Sequence, residues 1–192
     1  MLTHKSTQQI ETERLILRRF KLSDAEYMYK NWATDSEVFK FSSKDPHSEL
    51  SETEQVVKDW INTYAYDNCY NWAIELKEIG EIIGQISLMS LKDKYYSCDV
   101  AYNIGRLFWG KGITVEALKA VIIYMVKEIG INRIEAKHNT LNPASGRVMQ
   151  KAGMKLEDIM RQVKINKNGC FYDLALYSIL NSDLNALHII VK

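Results

Sequence analysis

The feature that most constrains the fold is a change of hydrophobic period in the middle of the chain. Residues 96–104 alternate as a β-strand does, whereas the apolar residues between Val115 and Ile129 recur on one face of a helix. Residues 131–137 then return to a strand pattern, after a glycine, Gly130, that is well placed to end the helix. Two strands joined by so long a crossover pair in parallel. The sequence therefore predicts one parallel pair, formed by 96–104 and 131–137.

The remaining segments predict antiparallel strands on both sides of that parallel pair. The turn sequences 77–80 and 166–169 each separate two strand patterns, as in hairpins. Two Ser-x-x-Glu patterns predict capping boxes at helix starts, Ser23 with Glu26 and Ser51 with Glu54. Further strands are expected at 15–18, 71–76, 81–89, 156–164 and 170–180, and a short helix at 145–152. The predicted class is α/β of the α+β type: a mixed, mostly antiparallel sheet of six to seven strands flanked by about four helices.

Composition argues against several classes of protein. The 192 residues fit one domain, and 25 basic against 24 acidic residues give a net charge of +1, which argues against a wide nucleic-acid-binding surface. No apolar run approaches the ~20 residues that cross a bilayer, and residues 1–9 have no apolar signal core. The 3 cysteines and 4 histidines show no metal-ligand spacing. We expect a cytoplasmic protein with no metal and with neither a membrane nor a nucleic acid as partner.

The link between the middle strand and the long helix carries two glycines one residue apart, Gly110 and Gly112. Glycines let the backbone approach a ligand closely, and the helix behind them offers free N–H groups and the positive end of its dipole to a phosphate. The Mg²⁺-nucleotide pattern GxxxxGK[ST] fails because Gly112 stands where a hydroxyl is needed, and GxGxxG fails because Val115 replaces its third glycine. Residues 107–112 resemble the coenzyme A loop of the GNAT acetyltransferases, and a turn without a ligand is the remaining alternative.

Several segments resemble the RimJ/RimL-like branch of the GNAT acetyltransferases. They are Ile10–Arg18, Trp109–Ala117, His138–Asn139 with Asn142–Met154, and Gly169–Asp173. Because they occur in order over residues 10–180, the chain is identified as a member of that family, with an N-terminal extension at 1–9 and a tail at 181–192. The resemblance implies the GNAT fold, with its sheet splayed at a cleft for acetyl-coenzyme A (acetyl-CoA), and N-acetyltransferase activity.

The resemblance also assigns residues that bind coenzyme A (CoA). Five backbone N–H groups would hold its pyrophosphate, those of Gly110, Lys111, Gly112, Ile113 and Thr114. The main chain of the preceding strand would pair with the pantetheine arm, at Tyr102, Asn103 and Ile104. The second motif contributes Asn139, Asn142 on the pantetheine amides, and Ser145 near the thiol end. The adenosine phosphate could meet Lys111, Arg147 or Lys151.

Fewer residues mark the catalytic half. Asp99 lies on the opposite face of its strand from Tyr102. Relatives often carry their base a few residues before the end of this strand, so the resemblance implies that Asp99 is the base or an amine-binding carboxylate, and a solvent-facing carboxylate without a catalytic role is the alternative. The general-acid tyrosine that many relatives carry seven residues after Asn142 is Met149 here, and a thioether cannot donate a proton. Ser145 or water would then protonate the departing thiolate, or no acid is needed, because a thiol of pKa ~8.5 leaves readily.

The acceptor stays open between the α-amine of a protein N-terminus and a small-molecule amine such as a polyamine or an aminoglycoside. We expect direct attack on acetyl-CoA in a ternary complex, carried out by a monomer or a homodimer. Met149 also leaves open a CoA-binding regulatory module without catalysis. The near match to a phosphate loop from Gly105 to Lys111 leaves open a nucleotide kinase.

Overall fold

The protein is described by a computed structural model over residues 2–186, with side chains as far as Leu184. Within these residues, eight strands form one sheet in the order β1-β2-β3-β4-β5-β6-β8-β7. The strands are β1 (Ile10–Glu11), β2 (Leu15–Arg18), β3 (Asn71–Leu76), β4 (Glu81–Lys92), β5 (Ser97–Ile104), β6 (Arg133–Asn139), β7 (Lys155–Ile165) and β8 (Phe171–Leu180). The α-helices are α1 (Asp24–Met28), α2 (Ser36–Phe39), α3 (Leu50–Thr63), α4 (Ile113–Tyr124), α5 (Pro143–Lys151) and α6 (Asn181–Ala186). Turns of π-helix extend α1 over Tyr29–Ala33 and α4 over Met125–Ile129, and 3-10 turns occupy Asp93–Tyr95 and Arg106–Phe108.

The mixed, mostly antiparallel class is confirmed, but the fold has more elements than predicted. Eight strands replace six to seven, because Ile10–Glu11 pairs with β2 as a short edge strand. Six α-helices replace about four within the described residues, the additional ones being the short α2 and α6. Segments of two to six residues are too short to show a period, which is why the sequence did not reveal them.

The predicted parallel pair is confirmed, and it is incomplete in a way that creates the site. β5 and β6 pair at three positions, and the last of these joins Asp99 to Glu135. Beyond it the two strands separate, while β5 stays paired with β4 as far as Ile104. The last five residues of β5 therefore present a free backbone edge to the gap between the strands.

Two hydrophobic cores lie on opposite faces of the sheet. α4 buries Leu118, Val121 and Ile122 against residues of β5 such as Cys98 and Val100. On the other face, a smaller core packs helical residues against β3 and β4, namely Trp32 and Val57 against Ala73 and Ile82. Because successive side chains of a strand alternate, Asp99 lies on the face of the smaller core, beyond the strands that this core covers.

Both predicted capping boxes are wrong. Ser23 precedes α1 but makes no side-chain cap, and the backbone N–H of Lys21 donates instead to the buried carboxylate of Asp24 at 2.7 Å. The second helix begins at Leu50, one residue before the predicted cap, and Ser48 pairs with Glu52 through two hydrogen bonds of 2.9 Å. In the stretch 48–54 several serines and glutamates suit the pattern equally, so the pattern alone could not choose between them. Before α1 there is no second serine, and the neighbouring Asp24 accepts the backbone N–H instead.

The N-terminal residues, predicted as an extension, contact the body of the domain. His4 lies 3.2 Å from the hydroxyl of Tyr70, and Thr7 accepts the backbone N–H of Asn71 at 2.9 Å. The division at residues 9 and 180 stays a prediction, and residues 187–192 of the predicted tail lie outside the described residues. Between residues 2 and 186, no helix is both long enough and apolar enough to cross a membrane.

Candidate functional site

The gap between β5 and β6 opens into a cleft of about 390 Å³. Its walls are the end of β5, the glycine loop, the start of α5 and the segment around α2. The lining includes every predicted cofactor residue except Lys111 and Asn139: Tyr102, Asn103, Ile104, Gly110, Gly112, Ile113, Thr114, Asn142, Ser145, Arg147 and Lys151. Residues separated by up to 49 positions in the sequence therefore meet around one space.

The glycine loop exposes backbone to this cleft. Gly110 and Gly112 have φ angles of +76° and +75°, a region that favours glycine. A Cβ at Gly110 would meet no atom within 4 Å, so the backbone conformation, and not crowding, requires glycine there. Gly112 directly precedes α4, and no side chain caps this helix end. The first N–H groups of α4 and the positive end of its dipole are thus available to an anion in the cleft.

Arg14 and Glu116 anchor the loop from behind, and the sequence reasoning missed this contact. The guanidinium of Arg14 donates to the carbonyl oxygen of Lys111 at 3.0 Å and to Glu116 at 2.7 Å. The hydroxyl of Thr12 donates to the same carboxylate at 2.7 Å. Burial raises the pKa of Glu116, but these hydrogen bonds outweigh it and leave the pKa below its usual value. The partners are 97 to 104 residues apart, so no local pattern could reveal them.

Lys111 and Asn139 shape the cleft without lining it. The ammonium of Lys111 lies 5.6 Å from the ring centroid of Phe108, and its carbonyl oxygen is held by Arg14. Asn139 closes the turn before α5, since its side-chain oxygen accepts the N–H of Leu141 at 2.9 Å. Contacts of either residue with CoA stay predictions.

Asn142 and Ser145 form the start of α5. The side-chain oxygen of Asn142 caps the helix by accepting the N–H of Ser145 at 3.4 Å, and Pro143 follows in the first turn. The capped residue Ser145 lines the cleft. The predicted contact of Asn142 with pantetheine stays a prediction, to be made by its amide nitrogen while the oxygen caps the helix.

Tyr102 reaches across the cleft wall to Ser145. Its hydroxyl lies 3.0 Å from both the carbonyl oxygen and the Oγ of Ser145. Burial raises the pKa of Tyr102 to about 12, although the hydrogen bond with Ser145 acts in the opposite direction. The sequence indicated a role for the main chain of Tyr102 and gave no signal for its hydroxyl, because the partner is 43 residues away.

Arg147 and Lys151 line the same cleft from α5. Within residues 2–184, no carboxylate forms an ion pair with either side chain. Both cations are therefore available to an anion in the cleft, and their contact with the adenosine phosphate stays a prediction.

Asp99 is not among the cleft residues and belongs to an ionic cluster at the last position where β5 and β6 pair. The ammonium of Lys137 lies 2.8 Å from the carboxylate of Asp99 and 3.3 Å from that of Glu135. The hydroxyl of Ser90 donates to Asp99 at 3.1 Å. Burial raises the pKa of Asp99, but the hydrogen bond and charge of Lys137 outweigh it, and the pKa lies below its usual range. The carboxylate is ionised at neutral pH and is a weak base. Its catalytic role stays a prediction.

α2 and the two residues after it form a wall of the cleft that the sequence did not indicate. Glu37, Val38 and Phe41 face the space opposite the start of α5. Beyond this wall, Lys167 of the β7–β8 hairpin lies 2.8 Å from Asp45. Met149, in the position expected for a general acid, is buried in the main hydrophobic core.

The chain matches the protein-family description "Acetyltransferase (GNAT) domain" over residues 14–155. It is 30% identical to the uncharacterized N-acetyltransferase YoaA of Bacillus subtilis, covering 89% of this chain and 96% of that protein. The putative ribosomal N-acetyltransferase YdaF of Bacillus subtilis is 30% identical, over 74% of this chain and 76% of its own length. A solved GNAT acetyltransferase from Bacillus anthracis has the same fold, with a TM-score of 0.80 and 24% identity over 91% of this chain and 99% of the other. The chain therefore belongs to the GNAT family of N-acetyltransferases.

Proposed function

We propose that the protein transfers the acetyl group of acetyl-CoA to a primary amine, and that the α-amine of a protein N-terminus is its preferred acceptor. The observation that carries the proposal is the cleft itself, in which a free strand edge, an uncapped helix start and the Ser145 hydroxyl surround one space. These three features match the arm, the pyrophosphate and the thioester of acetyl-CoA in that order.

The fit to acetyl-CoA rests on the chemistry of the lining groups. The positive φ at Gly110 and Gly112 turns backbone toward the cleft next to the start of α4, where an anion is stabilised. Arg147 and Lys151 add two cations for a further phosphate. The unpaired edge of β5 can hydrogen-bond to amides of the arm as an added strand would.

The acceptor is proposed to approach from the face of the sheet that carries Asp99. Deprotonating a lysine side chain of pKa ~10.4 at pH 7 costs roughly 4–5 kcal/mol, against about 1–1.5 kcal/mol for an α-amine of pKa ~8. Because Lys137 lowers the pKa of Asp99, this carboxylate is better suited to an α-amine than to a lysine. The name of the relative YdaF, a putative ribosomal N-acetyltransferase, supports a protein acceptor.

Direct attack on the thioester is proposed in preference to an acetylated enzyme. Among the described residues that line the cleft there is no cysteine. The thiol of Cys98 lies in the main core, where burial raises its pKa to about 12 and leaves it protonated. An acyl-enzyme step through cysteine therefore lacks a thiolate, and among the described lining residues there is also no histidine to activate the Ser145 hydroxyl.

The test is release of free CoA thiol from acetyl-CoA in the presence of matched acceptors. The first peptide has a free N-terminus and no lysine, and the second has the same sequence with an acetylated N-terminus and one added lysine. The first should be acetylated faster than the second, and faster than spermidine or an aminoglycoside. Faster turnover of the small amines would overturn the choice of acceptor. Binding of acetyl-CoA without turnover of any amine would indicate a non-catalytic CoA-binding module, and stabilisation by Mg²⁺-ATP but not by CoA would indicate a nucleotide kinase.

A further inference from the structure

We propose that Tyr102 is a positioning residue for the departure of the thiolate, acting through the hydroxyl of Ser145. This inference rests on the proposed function, since it concerns the same cleft and the same thioester. It assigns a task to the side chain of Tyr102, in addition to that of its main chain at the strand edge. Both residues line the cleft.

The hydrogen-bond geometry carries the proposal. The Tyr102 hydroxyl is 3.0 Å from the carbonyl oxygen of Ser145, which can only accept, and 3.0 Å from its Oγ. A phenol has one proton. When Tyr102 donates to the carbonyl oxygen, the Ser145 hydroxyl must donate to Tyr102, and its proton points to the cleft wall.

The same two groups allow a second arrangement without any movement of the backbone. If Tyr102 turns its proton to the Oγ of Ser145, the Ser145 hydroxyl is free to donate to a third atom in the cleft. An anionic acceptor favours this arrangement, because hydrogen bonds to charged groups are stronger than neutral ones. A departing thiolate is such an acceptor, so its formation would switch the pair from the first arrangement to the second.

The chemistry requires hydrogen-bond donation and not a net proton transfer from tyrosine. Attack of the neutral amine forms the C–N bond and breaks the C–S bond, and the proton that the amine loses balances the one that the thiolate gains. Burial raises the pKa of Tyr102 to about 12, so its phenol is roughly 10³-fold less acidic than a thiol of pKa ~8.5. Tyr102 therefore keeps its proton and orients Ser145, whose hydroxyl stabilises the thiolate or passes the amine's proton to it.

The arrangement also accounts for the methionine at position 149. Met149 is in the main core and its thioether cannot donate a proton. Tyr102, on β5, supplies a phenol hydroxyl instead, and this hydroxyl contacts Ser145 in the first turn of α5.

The kinetic test uses Tyr102→Phe, Ser145→Ala, the double variant and, as a matched control, Tyr124→Phe. Tyr124 is also a partly buried tyrosine with a pKa raised to about 12, but its hydroxyl donates to the carbonyl of Ser6 at 3.4 Å, outside the cleft. We expect kcat to fall about 10- to 100-fold in Ser145→Ala and about 3- to 10-fold in Tyr102→Phe, in line with the loss of hydrogen bonds to an anion. KM for acetyl-CoA should stay unchanged, and the double variant should be no slower than Ser145→Ala. Multiplying effects in the double variant, or an unchanged kcat in Tyr102→Phe, would overturn the proposal.

A second measurement needs no acceptor and separates this proposal from the proposed function. The thiol of bound CoA can be titrated by the ultraviolet absorbance of its thiolate. Tyr102→Phe and Ser145→Ala should both raise the pKa of the bound thiol relative to the wild type, and Tyr124→Phe should not. Equal thiol pKa values in the wild type and in both cleft variants would contradict the role of Tyr102, whereas a wild type inactive with every amine would contradict only the proposed function.

Discussion

The proposed donor half of the site, which would bind acetyl-CoA, and the proposed acceptor half, which would bind the amine, use different groups of the protein. The donor half is mainly backbone: a free strand edge, two glycines of positive φ and a helix start without a side-chain cap. The proposed acceptor half is an ionic cluster in which Lys137 contacts both Asp99, on the neighbouring strand, and Glu135. Backbone groups recognise parts of a cosubstrate that never change, whereas side chains set the acceptor. The difference explains why the donor could be named from sequence while the acceptor stays a proposal.

The largest effect is expected from a charge placed in the donor half. Gly110→Glu should lower the affinity for CoA at least about 100-fold, since two like charges 4 Å apart near a protein surface repel by about 4 kcal/mol. Isothermal titration with CoA measures the loss. Gly80→Glu is the matched control, because Gly80 also has a positive φ, +66°, and no atom within 4 Å of an added Cβ, but lies in the β3–β4 turn. Equal affinity of the two variants would contradict the placement of the pyrophosphate.

The acceptor half should respond in turnover and not in CoA affinity. Asp99→Asn keeps the shape of the side chain and removes its charge, and we expect kcat to fall about 100-fold, at the low end of the range for a lost general base. Asp59→Asn, an exposed carboxylate on α3, is the control. If the Asp99 variant loses CoA affinity while keeping its turnover, the separation of the two halves is wrong.

Loosening the loop from behind should have a smaller effect, confined to the donor half. Arg14→Gln removes the charge that holds the carbonyl of Lys111 and pairs with Glu116. The affinity for CoA should fall about 3- to 10-fold, the usual value of a hydrogen bond or two. Turnover at saturating acetyl-CoA should not change, and a lower kcat would mean that the loop also positions the reacting atoms.

The smallest effect is a displacement of the pH profile. Lys137 keeps the pKa of Asp99 below its usual range, and only the ionised carboxylate can act as a base. Activity that depends on Asp99 is therefore lost as the pH falls through that lowered pKa. In Lys137→Met the pKa of Asp99 rises, so the acid limb of kcat should move to higher pH with little change on the alkaline side. An acid limb that stays in place would show that Asp99 does not act as the base.

The sequence revealed what depends on neighbouring residues. The glycines at 110 and 112 and the helix after them form one continuous stretch, as do Asn142, Pro143 and Ser145, so their local geometry was predictable. The contacts of Arg14 with Glu116, Asp99 with Lys137 and Tyr102 with Ser145 join residues 38 to 102 positions apart. Such pairs form only when the fold brings distant segments together, and no spacing pattern in the sequence predicts them. The capping boxes failed for a different reason, because nearby residues satisfy the helix starts instead: Asp24 at the start of α1, and Ser48 with Glu52 at α3.

The most direct test of the account is amide hydrogen exchange of the wild-type protein with and without CoA. The account predicts that CoA slows exchange at residues 110–114 and 142–146, where backbone groups and the start of α5 line the cleft. Exchange along β7, at the far edge of the sheet, should stay the same. Protection of β7 with no change at residues 110–114 would contradict the central claim that the glycine loop binds the cosubstrate through its backbone.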